Sequence, residues 1–283
     1  MRDGNVDSAR DMQAKIKSWL KRTPLYPLYC RVYGRVYRRR ELAREQRDFW
    51  NWSEDDERRM AFYRALFGMG DLVFDIGANM GTRTKVFHRL GARVVAFEPQ
   101  ARCYRFLQAV FRNTDGVRLV NRALGREAGT AEMFISDAHV LSSLSAEWIA
   151  RVRQSGRFGQ YHWDKKQTVS ITTLDKAIDE FGVPSFVKID VEGYELEVLS
   201  GLSRPLPCLS FEFATENMEM AIQGLDHLAT LAPIEVQLTY GESMHFVLPA
   251  WASGDAIKRA LGAIPSGQFG DVYVRSTSGC PLH

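Results

Sequence analysis

Two short stretches hold the residues whose types and spacing could do chemistry. The first is Asp75-Ile76-Gly77-Ala78-Asn79-Met80-Gly81-Thr82, an acid followed by two glycines and an asparagine. Glycine lets backbone pass close to a ligand, and asparagine is the next best tolerated residue at positive φ. Glu98, followed by Pro99, lies 21 residues beyond Gly77. An acid there can accept hydrogen bonds from both ribose hydroxyls of a nucleoside cofactor. Without a ligand, the same glycines describe a tight strand-to-helix turn. The second stretch is Lys188-Ile189-Asp190-Val191-Glu192-Gly193. Asp190 and Glu192 could act as a general base, or hold Mg²⁺ through oxygen ligands. Lys188 and Asp190 share a strand face, so an ion pair between Lys188 and an acid is the competing structural reading. His139, or His162, could supply an imidazole from a lid, although a lone histidine is more often a surface residue.

The elements around these residues read as an α/β fold. Leu72-Val73-Phe74 and Val94-Val95-Ala96-Phe97 are apolar runs, each ending in an acid. Turn and helix-length segments lie between them, which is the first half of a doubly wound sheet. Ser53 with Glu54-Asp55-Asp56 predicts a helix N-terminus, and that helix should run through Phe67. Helical spacing follows over residues 100–112, and Val117 to Val120 reads as the third strand. Asn121-Arg122-Ala123, at its end, could touch an adenine edge. Ala131 to Ile135 and Thr168 to Thr172 read as a hairpin. Residues 136–167 between them have poor periodicity and suggest a partly helical insertion or lid. Leu174 to Phe181 is helical, and Phe186 to Ile189 is a buried central strand opening the crevice at its carboxyl end. Cys208 to Phe213, Ile234 to Thr239 and Val272 to Arg275 complete the strands, with helices over Glu216 to Leu231 and Asp255 to Leu261.

Charge is uneven along the 283 residues. Residues 1–50 carry 13 Lys and Arg against 6 Asp and Glu, a net of +7, while the whole chain stands at +3. From Leu25, tyrosine, leucine and valine recur at helical spacing beside Arg31, Arg35, Arg38, Arg39 and Arg40. That is a basic amphipathic helix ending near Phe49. It either packs on the core or makes peripheral contact with an anionic membrane through residues 25–49. The expected division is a helical extension over residues 1–52 and an α/β domain over 53–283. No apolar run is long enough to span a bilayer, and Met1 to Arg10 are too polar to begin a signal peptide. Cys30, Cys103, Cys208 and Cys280 show no metal spacing and read as reduced thiols of a cytoplasmic protein.

The turn is spaced D-x-G-x-N-x-G, not the G-x-G-x-x-G of a nicotinamide site. It resembles motif I of class I S-adenosylmethionine-dependent methyltransferases. With LVFDIGANMGT, VVAFEPQARCYRFL, Asn121 to Gly125, Ser142-Ser143-Leu144 and ITTLD followed by VKIDVEGYELEVLSG, the chain resembles the FkbM methyltransferase family over residues 71–213. The resemblance implies a Rossmann-like sheet of seven mostly parallel strands with helices on both faces. It implies S-adenosylmethionine as donor and O-methylation of a sugar, glycolipid or natural product, with no nucleic-acid partner. The turn from Asp75 to Thr82, with Ala78 and Asn79, would hold the methionine part. Glu98 and Pro99 would take the ribose, and Asn121, Arg122 and Ala123 the adenine edge. Asp190 and Glu192 would face the methyl group and acceptor. Two other classes remain open at this point: a nicotinamide-dependent oxidoreductase, and a noncatalytic nucleotide-binding protein at a membrane surface.

Overall fold

The computed structural model describes residues 43–156 and 158–277. The chain divides into two compact units between Asn51 and Trp52. In the first unit, residues 43–49 are helical. The rest of the expected basic helix lies outside the described residues, as do Cys30 and Cys280. Among the described residues, no helix is long and apolar enough to cross a membrane.

The second unit opens with α1 (Glu54–Tyr63), under a reciprocal cap. The Ser53 amide donates to Asp56 Oδ2 at 3.0 Å, and the Asp56 amide donates to Ser53 Oγ at 3.2 Å. The helix stops four residues short of the expected Phe67. Ala65 and Leu66 donate to carbonyls three residues back, which tightens the exit into turns and buries Leu66 and Phe67. Then come β1 (Leu72–Ile76), α2 (Thr82–Arg89), β2 (Arg93–Phe97), α3 (Ala101–Val110), β3 (Val117–Val120), β4 (Ala123–Leu124) and β5 (Gly129–Ile135). A 3₁₀ turn (His139–Leu141) and α4 (Ala146–Ser155) precede β6 (Lys165–Thr172), α5 (Leu174–Phe181), β7 (Phe186–Ile189) and α6 (Glu195–Ser200). The chain finishes with β8 (Cys208–Ala214), α7 (Met218–Leu231), β9 (Ile234–Tyr240), β10 (Ala252–Ser253), α8 (Gly254–Gly262) and β11 (Phe269–Ser276).

The main sheet has the order β10-β9-β11-β8-β7-β1-β2-β3. The run from β8 to β3 is parallel, and β11 inserts antiparallel between β8 and β9. This is the expected seven-stranded sheet, with two-residue β10 added at the edge. β1 and β2 lead outward to one side and β7 and β8 to the other, so strand order reverses between β1 and β7. Open α/β sheets bind ligands at the carboxyl ends of the strands around such a reversal.

Alternation sorts the strand residues cleanly between the two faces. Phe74, Ile76, Val187, Ile189, Leu209, Phe211, Val272 and Val274 form one apolar core with α5, α6, α7 and α8. On the other face the same strands carry Asp75, Lys188, Ser210, Asp271 and Tyr273, all buried. That face is closed by an aromatic cluster in which Tyr63 and Phe67 pack on Phe87 and Phe186. A polar row inside an apolar layer is expensive unless satisfied, and this row ends at the crevice.

A second, three-stranded sheet, β4-β6-β5, carries the hairpin. Between β5 and β6 the insertion has its own core of Leu141, Trp148, Ile149, Val152 and Trp163. Arg151 ties it to Glu219 at 2.6 Å, at the start of α7.

Candidate active site

The loops after β1, β2 and β7, roofed by the insertion, enclose a cavity of about 560 Å³. That lies within the ~300–1,000 Å³ usual for small-molecule sites. Asp75, Gly77, Ala78, Asn79, Thr82, Glu98, Pro99, Arg122, Ala123, His139, Asp190 and Glu192 all line it. Sequence reasoning named each of these.

Glu98 is held at both oxygens. The Asn79 amide donates to Oε2 and the Gln100 amide to Oε1, each at 2.7 Å. Burial nevertheless pushes this carboxyl up to about 7, against the two amides that favour its ionised form. Burial also raises Asp75, to about 6, although Thr84 Oγ1 donates to it at 2.5 Å. Asn79 takes the left-handed conformation, φ 51°, and its side chain meets His139 Nδ1 at 2.7 Å. The turn is thereby joined to the insertion above it.

The two glycines of the turn answer to the protein before any ligand. A Cβ on Gly77 would lie 1.8 Å from the Asp190 carbonyl oxygen, and one on Gly81 would lie 2.6 Å from Leu107. Gly77 therefore lets β1 and β7 close together, and Gly81 lets α2 start against α3. Gly81 is not on the cavity wall, contrary to the sequence expectation that it approaches ligand. Asn121 also departs from its expected place. It is exposed, and its Nδ2 donates to the Glu98 carbonyl at 2.7 Å, bracing the end of β2. His162 is exposed and outside the cavity lining.

At the end of β7, the two sequence readings of Lys188 and Asp190 hold together. Lys188 is fully buried and pairs with Asp190 at 3.3 Å and with Asp271 at 3.1 Å. Asp190 still reaches the cavity. Burial opposes its ionisation, but Lys188 and Arg83 outweigh burial and hold its carboxyl below the usual range. Glu192 and Gly193 are both left-handed, at φ 54° and 85°. This turn is gripped from two sides. Ser143 Oγ donates to the Glu192 carbonyl at 2.6 Å, and Glu195 accepts from the Val191 and Gly193 amides at 3.1 and 3.2 Å. Trp148 covers Gly193 so closely that a Cβ there would fall 2.2 Å from its ring.

Sequence reasoning gave no role to Glu212 on β8. One carboxylate oxygen from each of Asp190, Glu192 and Glu212 lies within 4.8 Å of the others, a spacing that suits a hard cation. Burial, then the carboxylates of Glu192, Asp190 and Glu195, push Glu212 well above its ordinary value. The available signal was an acid inside the apolar run Cys208 to Phe213. Arg83 and Glu242 also reach the cavity. Glu242 had no local signal, because a solvated turn acid looks the same anywhere.

The family model described as the methyltransferase FkbM domain matches residues 75–232. The hexuronic acid methyltransferase AglP of Haloferax volcanii is 26% identical over 173 residues, covering 60% of this chain and 65% of that protein. The 31-O-demethyl-FK506 methyltransferase FkbM of Streptomyces tacrolimicus is 32% identical over 155 residues, covering 47% of this chain and 60% of its own. The chain thus spans less than two thirds of either relative. Among solved structures, a precorrin-6Y C5,15-methyltransferase from Geobacter metallireducens aligns at 12% identity and a TM-score of 0.43, covering 78% of this chain and 86% of that one.

Proposed function

The chain belongs to the FkbM methyltransferase family, and from that premise we propose that it transfers a methyl group from S-adenosylmethionine to a hydroxyl oxygen of a sugar, glycolipid or natural product. The observation that carries the reading is Glu98, an acid fixed at both oxygens on the wall of a large cavity beside the turn after β1. The relatives support the acceptor class by name alone, one naming a hexuronic acid and the other a 31-O position.

The residues fit such a donor. Glu98 would accept from the ribose hydroxyls, and the turn from Gly77 to Thr82 would flank the amino-acid part. When bound, the donor supplies an electrophilic sulfonium methyl. The chain's own part is to place an acceptor oxygen on the axis opposite sulfur, which is where much of the rate advantage of such a displacement arises. Asp190, kept anionic by Lys188, accepts the hydrogen bond of the acceptor hydroxyl and is the first candidate to take its proton. Glu192 is the second, and His139, held by Asn79, is the candidate from the lid. A positioned base contributes about 10²–10⁴-fold. From the insertion, the buried apolar side chains of Leu141 and Trp148 line the cavity roof.

A second reading of the same acids is favoured by the close approach of Asp190, Glu192 and Glu212. Those three would hold Mg²⁺, and the cation would polarise the acceptor hydroxyl. The experiment is a tritiated-methyl screen against sugars and glycolipids, run with and without chelator, beside calorimetry with S-adenosylhomocysteine and NAD. Binding of NAD instead of S-adenosylhomocysteine would overturn the donor and point to a nicotinamide enzyme. Loss of transfer on chelation would favour the cation over the unaided base.

A further inference from the structure

Two nearly buried guanidiniums share one carboxylate, and of the three groups Arg83 and Glu242 line the cavity while Arg59 lies behind them. Arg59 on α1 and Arg83 on α2 have side chains 15% and 13% exposed. Glu242, in the turn after β9, is 53% exposed. Arg83 Nη2 donates to both Glu242 oxygens, at 2.8 and 3.0 Å, and Arg59 Nη2 lies 3.5 Å from Oε2. No other acid serves the two arginines at hydrogen-bond distance among the described residues. Asp56 is 3.8 Å from Arg59 but belongs to Lys85 at 2.7 Å, and Asp190 belongs to Lys188. Arg59 Nε is buried and has no partner at all.

We infer that Arg83, backed by Arg59, forms a carboxylate-binding subsite on the cavity wall, and that Glu242 occupies it in place of a ligand carboxylate. Arg83 and Glu242 both line the cavity with Asp190. A guanidinium cannot shed its charge, so a buried one requires an anionic partner. Glu242 is a replaceable partner. Its own side chain is half exposed on a turn, so water takes back the freed carboxylate at the moment an incoming carboxylate takes over the guanidinium. A ligand carboxylate inside the cavity would meet the same donors with less competing water and so bind them more strongly. Arg83 is aimed for this, since Tyr63 Oη accepts from its Nε at 3.1 Å and fixes the plane of the fork. Helix α2 begins at Gly81 with no side-chain cap, so its positive end adds to the same field.

The inference rests on the methyl-transfer reading, and that reading offers two sources of a carboxylate: the amino-acid tail of the donor, and an acidic acceptor. Titration of Glu242→Gln and Arg83→Gln separates them. One pair of probes is S-adenosylhomocysteine and 5′-methylthioadenosine, which lacks the amino-acid tail. The other is D-glucuronate and D-glucose, added to the S-adenosylhomocysteine complex. Glu242→Gln removes the competitor and should tighten one carboxylate probe by about three- to tenfold, while Arg83→Gln should weaken the same probe by about tenfold or more. The carboxylate-free probe of that pair should not respond to either change. A response of S-adenosylhomocysteine assigns the subsite to the donor tail, and a response of glucuronate assigns it to the acceptor. Glu242→Gln leaves the nearly buried Arg83 without its carboxylate, so a thermal melt accompanies each variant, and Glu242→Asp, which keeps an anion but shortens its reach, replaces Glu242→Gln in the same titrations if that variant does not fold. If the Glu242 variant folds and neither carboxylate probe tightens, the ion pair is structural and the inference fails. If the wild type binds neither adenosine ligand, the methyl-transfer reading falls and this inference falls with it.

Discussion

The Asn79 amide donates to Glu98 Oε2 at 2.7 Å, and this bond ties the turn after β1 to the end of β2. Asn79 reaches that position in a left-handed conformation, which asparagine tolerates better than most side chains. Its side chain then engages His139. An asparagine at this point therefore does two things that a glycine could not do together: it presents its amide to the acid, and it carries a polar group up to the insertion.

Removing the acid should weaken the donor site without disturbing the sheet. Glu98→Ala is expected to lower affinity for S-adenosylmethionine by ~1.5–3 kcal/mol, the usual worth of hydrogen bonds to a charged group. Titration calorimetry measures it, with a thermal melt to confirm the fold. Unchanged affinity in a folded variant would remove Glu98 from the site.

The same carboxyl makes binding depend on pH. In the free protein burial raises Glu98 to about 7. The ionised form accepts more hydrogen bonds than the protonated form, so ribose hydroxyls should favour it and binding should expel a proton. Affinity for S-adenosylhomocysteine should then rise with pH, by up to about tenfold per unit below pH 7 where Glu98 starts protonated, and level off above it. Calorimetry at several pH values, in buffers of different ionisation enthalpy, reads the proton directly. Glu98→Gln should flatten the profile. A wild-type affinity indifferent to pH between 5.5 and 7 would contradict the linkage.

Much of this was legible in the sequence because short-range rules govern it. The apolar run Leu72-Val73-Phe74 opens β1 (Leu72–Ile76), which runs on through Asp75 to Ile76, and the expected central strand Phe186 to Ile189 is β7 at those positions. Ser53 and Asp56 announced their cap three residues apart. What could not be read comes from distant parts of the chain meeting. Arg83 and Glu242 are 159 residues apart. The reason for Gly77 is a carbonyl on another strand. Lys188 looked costly from its own strand alone, and its second partner, Asp271, arrives on β11.

Asp190 should matter to chemistry more than to donor binding. Asp190→Asn is expected to leave S-adenosylhomocysteine affinity nearly intact and to lower turnover by at least ~10²-fold, as for loss of a base or a metal ligand. The assay is single-turnover methyl transfer to an acceptor found in the screen. Full transfer by the variant would reduce Asp190 to a partner of Lys188.

Lys188 tests whether the polar row beneath the crevice is one electrostatic unit. The ammonium is fully buried, and the carboxylates of Asp190 and Asp271 lie 3.3 and 3.1 Å away. Burial disfavours its charge, yet those two acids outweigh burial and raise its pKa above the ordinary lysine value. Lys188→Met would fill a similar volume but leave Asp271, itself buried, with no cation in contact. Breaking a buried pair by removing one partner costs about 3–5 kcal/mol, whereas replacing both partners by apolar groups is often close to neutral. Lys188→Met should therefore destabilise strongly. Lys188→Met with Asp271→Leu should recover most of the loss, even though the second change removes another buried polar group. Chemical denaturation of the wild type, both single variants and the double variant closes the cycle. A double variant as unstable as the sum of the singles would show that Lys188 and Asp271 act independently, and that Asp190 alone is the partner that counts.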